Sequence, residues 1–203
     1  RPGHPAPHSR SDSGMRLFSE FVADALSEPA ASGCHRYLLV DTAATRPTSI
    51  ASELALRVSA TDVLTSEPCV WRDSASPVLL ELPVAAVSSA ARGIAAASLM
   101  KWRYANCFVY LESPHGKATI LRMLRDRTEA ELPQNVPVLL RYFDSRVFVA
   151  LLRTLNERQA RAFLSAGTRW AVPGRHGQVV LFGRETAAPE MSHEAPFKVG
   201  PAQ

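Results

Sequence analysis

Lysine is almost missing from this chain: Lys101, Lys117 and Lys198 are three among 23 basic residues. Its positive charge is therefore carried by arginine. With 19 acidic residues interleaved, the formal net charge is only +4 and no basic block forms, so the pattern does not point to nucleic acid. Cysteine is also scarce. Cys34, Cys69 and Cys107 are odd in number and lack Cys-x-x-Cys spacing, which excludes a disulfide framework and a zinc knuckle and suits a reducing cytoplasm. Long apolar runs are absent as well: the stretch from Val84 to Met100 is broken by Arg92 and rich in Ala and Ser, short of a membrane span. The start, with its Arg, Pro and His, has no apolar segment of the kind a signal peptide needs. What remains is 203 residues with 46% hydrophobic content, enough for a sizeable core in one large domain or two small lobes.

Motifs that carry chemistry are missing too. His115-Gly116-Lys117-Ala118-Thr119 has a Gly-Lys pair at a turn, but a phosphate-binding loop needs Gly at 111, which is Leu, and Ser or Thr at 118, which is Ala. Ser98 and Lys101 share the spacing of an acylating serine and its base, with no Lys-Thr-Gly or Ser-Asp-Asn following. There is no His-Glu-x-x-His and no Gly-x-Ser-x-Gly; His35, His115 and His176 are isolated, and His4 and His8 lie in a Pro-rich start that holds no helix face. We therefore expect no metal, no cofactor, no small-molecule substrate and no enzymatic activity.

Taken in order, residues 1–14 are expected to be a disordered tail, 15–143 an α/β lobe, 144–186 a C-terminal helical lobe and 187–203 a flexible tail. Phe18, Phe21, Val22 and Ala25 form the stripe of a first helix. Tyr37 to Thr42, Val78 to Leu82, Cys107 to Leu111 and Val136 to Phe143 read as core strands, and Gln178 to Phe182 as a late one. Helices are expected near Thr48 to Arg57, from Val87 to Trp102, and around Ile120, Leu121 and Leu124. Strand, helix, strand between 107 and 143 reads as a parallel βαβ unit. The expected fold is α/β, with a mixed, partly parallel sheet, flanking helices and a C-terminal helical hairpin.

That hairpin begins at Asp144, a natural N-cap before the stripe Phe148, Leu151, Leu152 and Leu155. Asn156 and Gln159 make a capping-box variant that opens its second helix, and Gly167 ends it. Arg141, read as lying on a buried strand, needs a carboxylate, with Asp144 or Asp41 as the obvious partner. Arg146 sits in the first helical turn, where the dipole disfavours a cation, so it needs a carboxylate from this chain or from a partner. Trp170 either caps the core beneath the hairpin or anchors an interface.

The run Arg141-Tyr142-Phe143-Asp144-Ser145-Arg146-Val147, followed by Leu151-Leu152, Leu155, Gln159 and Trp170, resembles the signature of the type VI secretion effector chaperones, or adaptors. Upstream, Tyr37-Leu38-Leu39-Val40-Asp41-Thr42-Ala43 resembles the family's opening strand. Ser145 stands where the family usually has Pro, and Gln134-Asn135 where it has Asp-Gly. The resemblance implies a cytoplasmic protein of a Gram-negative bacterium that binds the N-terminal region of a toxic effector and delivers it to the VgrG spike. It implies no nucleic acid and no membrane partner. Arg146, Arg153, Arg158 and Trp170 are then the candidate partner contacts, and Arg141, Tyr142, Asp144 and Asp41 the structural signature. The alternative is a small α/β enzyme acting on an anionic substrate, with Arg141 or Arg146 as its anion clamp.

Overall fold

Residues 16–43, 58–65, 76–101, 106–132 and 136–183 are described by a computed structural model. Their frame is a six-stranded sheet in the order β2-β3-β1-β4-β7-β8. The strands are β1 (His35–Val40), β2 (Ser59–Asp62), β3 (Val78–Leu82), β4 (Phe108–Ser113), β7 (Arg169–Pro173) and β8 (Val179–Gly183). Strands β5 (Glu129–Leu132) and β6 (Val136–Leu139) form a separate two-stranded hairpin. The helix expected near Thr48 to Arg57 and both expected tails lie outside the described residues.

Successive side chains on a strand point to opposite faces, and here both faces are buried. Leu38, Val40, Leu80, Phe108, Tyr110 and Ala171 pack beneath helices α1 (Phe18–Ala25) and α2 (Ser89–Lys101). Tyr37, Leu39, Val109, Leu111, Trp170 and Val172 face α3 (Lys117–Arg125), α4 (Ser145–Thr154) and α5 (Glu157–Leu164). Two helical layers thus cover one sheet. No helix among the described residues is long and apolar enough to cross a membrane.

The expected partly parallel sheet is corrected: every paired neighbour is antiparallel. Burial on both faces gives continuous apolar strands whichever way the neighbours run, so composition does not report direction. The βαβ reading fails at its second strand. After α3 the chain turns into the β5–β6 hairpin, closed where the Leu140 amide donates to Thr128 O at 2.7 Å, and it rejoins the main sheet only at β7, antiparallel to β4. Residues 140–144 form turns, with Tyr142 N donating to Leu140 O and Asp144 N to Arg141 O. Their aromatic rings are buried, but not as part of a strand. Strand β8 is the late strand expected at Gln178 to Phe182, and β7, which was not expected, joins it to the sheet begun by β1 and β4.

Helices α3 and α5 end inside the molecule, where their last carbonyls need partners. Tyr142 Oη donates to Leu124 O at 2.8 Å, and Trp170 Nε1 donates to Leu164 O at 3.0 Å. Arg127 serves both ends. Its guanidinium donates to Met123 O, to Phe163 O at 2.7 Å, and to Ala162 O and Ser165 Oγ at 3.0 Å each. A cation there also meets the negative ends of two helix dipoles.

Gly167 allows α5 to close on β4. A Cβ at this position would lie 2.0 Å from Leu111 Cδ1 and 2.7 Å from the backbone oxygen of Glu112, and the backbone cannot swing away. Gly167→Ala should therefore destabilise the protein by about 1–3 kcal/mol, read in a urea melt; an unchanged midpoint would mean that this packing is loose. Arg127→Ala should cost about 2–4 kcal/mol by leaving helix-end carbonyls without donors, measured the same way.

Candidate functional site

Two carboxylates stand at one end of the sheet, and the signature arginines come to them. Asp41 follows the last residue of β1, and its amide donates to Cys107 O at 2.8 Å, joining β1 to the start of β4. Asp144 precedes α4. The Ser145 amide donates to Asn106 O at 2.9 Å, which brings the helix start to the same entry into β4. Asn106 holds φ +50°, a left-handed conformation that asparagine tolerates better than most residues.

The Asp41 side chain is 1% exposed. One oxygen accepts from the Ala43 amide at 3.0 Å and the other from Arg141 Nη2 at 2.7 Å. Arg141 is not the buried residue expected from the sequence. Its side chain is 48% exposed and lies over the Phe143 ring, 5.8 Å from the centroid. The buried charge of the pair is the aspartate, and Arg141 pairs with Asp41 rather than with Asp144.

Asp144 is the N-cap of α4, accepting from the Arg146 amide at 2.9 Å. It also takes two bonds from the Arg146 side chain, at 3.0 Å from Nε and 2.6 Å from Nη2. The compensation that Arg146 needs near a positive helix end thus comes from within the chain. Burial by itself pushes the Asp144 carboxyl up. Hydrogen bonds from the Arg146 side chain and amide, the Arg146 charge and the Val147 amide outweigh burial and hold it below its ordinary range.

Cys107 is buried near both acids. Burial, with both aspartate charges nearby, pushes its thiol up to about 12, so it stays protonated and is a poor nucleophile. Tyr142 is buried, with its phenol on α3 and its ring edge-on to Phe143 and Phe163. Trp170 has no exposed surface and packs against Phe148 and Phe163. Of the two roles open to it from the sequence, this burial fits the core one. Arg153 and Arg158 are exposed, on α4 and α5, and are not part of the acid–arginine corner. Among the described residues, no group of three or more His, Cys, Asp or Glu is placed to hold a metal ion.

Sequence reasoning passed over Arg127, although a readable signal existed: a cation in the turn that follows an amphipathic helix suits the negative dipole end.

Asp144→Ala should lower stability by about 1–2 kcal/mol through the lost cap. The carboxyl's folded value lies below the ordinary value of 3.8, so its contribution is full above that value and is lost as pH falls through the folded one. The wild type and Asp144→Ala should therefore converge in stability as denaturant melts are taken below about pH 4. A difference that persists unchanged at pH 2 would contradict this account of the carboxylate.

No curated protein and no solved structure matches the chain significantly. Residues 36–162 match the family model described as domain of unknown function DUF4123. That span holds all of β1 but its first residue, β4, both aspartates and both signature arginines, and it covers more than half of the chain. The protein belongs to the DUF4123 family.

Proposed function

We propose that the protein is a type VI secretion adaptor: it binds the N-terminal region of a toxic effector, keeps it soluble, and hands it to the VgrG spike without chemical transformation. The observation that carries this reading is the DUF4123 match across a stretch that includes the Arg-Tyr-Phe-Asp-Ser-Arg-Val run. The acid–arginine corner suits a binding protein. Arg141 and Arg146 each have a carboxylate partner, which fixes their geometry while their outer surfaces stay accessible. An anion clamp for a small substrate would instead present guanidinium groups free to fork onto the ligand. Arg153 and Arg158 add exposed positive charge on the helices that follow, suited to steering an acidic partner surface.

Co-expression should raise the soluble yield of the cognate effector, whose gene the family resemblance implies lies beside this one, because binding draws it away from aggregation by mass action. Arg153→Glu and Arg158→Glu should each slow association and flatten its salt dependence, with the melting temperature moving by no more than about 2–4 °C. Arg146 is a less clean probe because it also serves the α4 cap. Surface plasmon resonance over a salt series gives the rates. An effector that neither gains solubility nor binds would defeat the adaptor reading.

A further inference from the structure

Arginine cannot shed its proton inside a protein, so a buried one has to find an anion or enough acceptors. Arg127 has four acceptors, and Arg146 turns its Nε–Nη2 edge onto Asp144. Arg36 has neither. It lies on β1 and is 5% exposed. Its Nη1 donates to the backbone oxygen of Glu28 at 2.8 Å. Its Nε is buried without a hydrogen bond, and it forms no ion pair with a described residue. Arg92 Nε is also without a bond, but Arg92 is only half-buried. At Arg36 a single neutral carbonyl answers a full charge removed from water.

The strand register shows why no carboxylate reaches it. Arg36 stands opposite Glu112 on β4, and Glu112 opposite Arg169 on β7, so the three share one face of the sheet. It is the face that carries Leu38, Tyr110 and Ala171 two residues further in. Glu112 is already engaged: it accepts from Tyr110 Oη at 2.8 Å and lies 3.6 Å from Arg169 Nη1. Burial, the Glu112 charge and its hydrogen bond push the Tyr110 phenol up, while the charges of Arg36 and Arg169 pull it down; both cations are near the same hydroxyl. Glu28 is exposed and meets Arg36 through its backbone, not its carboxylate. Two arginines and one glutamate leave one positive charge unanswered. The row sits at the strand ends, and the Arg169 side chain is 52% exposed, so the way in from water is short.

We propose that Arg36 anchors a carboxylate-binding site. A carboxylate forks onto its Nε–Nη2 edge, the edge that Arg146 offers to Asp144, while Nη1 stays on Glu28 and Arg169 is the outer cation of the row. Two parallel N–H groups in one plane match the two oxygens of a carboxylate. The charge count selects the same ligand: one carboxylate brings the row to neutrality, whereas a divalent phosphate would overshoot beside Glu112. Nε has no contact with water, so a side chain at the rim moves aside on entry, as side chains at binding sites commonly do. The site does not depend on the adaptor reading. Its carboxylate comes either from a small free acid or from an acidic side chain of a protein partner.

Thermal melts of the whole chain in sodium formate, against sodium chloride at equal ionic strength, test the site. The wild type should gain about 3–6 °C once formate is ten times above its Kd. Arg36→Met removes the unanswered charge, so its melt in chloride should not fall below that of the wild type, and formate should not raise it. Arg36→Lys keeps the charge without the fork and should bind formate about tenfold more weakly. Glu112→Gln leaves both cations unanswered and should bind it more tightly. No gain in the wild type, or an equal gain in Arg36→Met, would overturn the site. Should Arg36→Met fail to fold, formate affinities equal to the wild type's in both Arg36→Lys and Glu112→Gln would overturn it instead. Binding of the cognate effector then separates the two sources. A complex weakened both by formate and by Arg36→Lys assigns the carboxylate to the partner, and a complex indifferent to both assigns it to a free acid. An effector that does not bind at all would defeat the adaptor reading and leave the formate result standing.

Discussion

A buried carboxylate has to be answered by a cation or by donors, and the signature end of this fold is arranged around that requirement at Asp41. Arg141 answers it across 100 residues of sequence, at 2.7 Å. Their pairing ties the end of β1 to the turn that leads into α4, and the backbone bonds from Asp41 to Cys107 and from Ser145 to Asn106 close the same corner through β4. Removing one partner of such a pair costs more than the pair itself contributes, because the other charge is left without compensation. The half-exposed position of Arg141 moderates that cost, since water can reach the guanidinium but not the aspartate. The same geometry keeps two arginines at fixed places on the surface, where a partner can meet them without ordering them first.

At the closing turns of α3 and α5 the requirement is inverted, because the groups to be satisfied there are carbonyls. Arg127, Tyr142 and Trp170 supply donors to the closing turns of α3 and α5. Tyr142 and Trp170 belong to the resemblance signature, yet both act inside the molecule. The signature is thus largely a recipe for holding three helices on the sheet, with Arg141 and Arg146 as its accessible part.

Much of the fold was legible from periodicity and punctuation. The first helix, the strand Val78 to Leu82, the Asp144 cap and the Asn156–Gln159 capping box were each set by local chemistry, and each is present. Strand direction was not legible, because an antiparallel sheet covered on both faces has the same unbroken apolar strands as a parallel one. The stretch from Leu140 to Phe143 misled for a related reason. Its aromatic residues record burial, and burial is equally compatible with a turn tucked under helices. Arg141 was read as buried because its neighbours are, but a turn, unlike a strand, can send one side chain outward. Short polar β2 and the β5 strand Glu-Ala-Glu-Leu carry almost no pattern, and pairing rather than propensity makes them strands.

The central claim is that Asp41 and Arg141 act as one unit that fixes the corner from which the signature helix departs. A double-mutant cycle with Asp41→Asn, Arg141→Gln and the double variant, followed by urea unfolding at pH 7, measures that coupling directly. A coupling energy of about 1–2 kcal/mol is expected for a pair with one buried member and one half-exposed one. Additive losses, agreeing within about 0.3 kcal/mol, would show that the two residues act independently and would contradict the account.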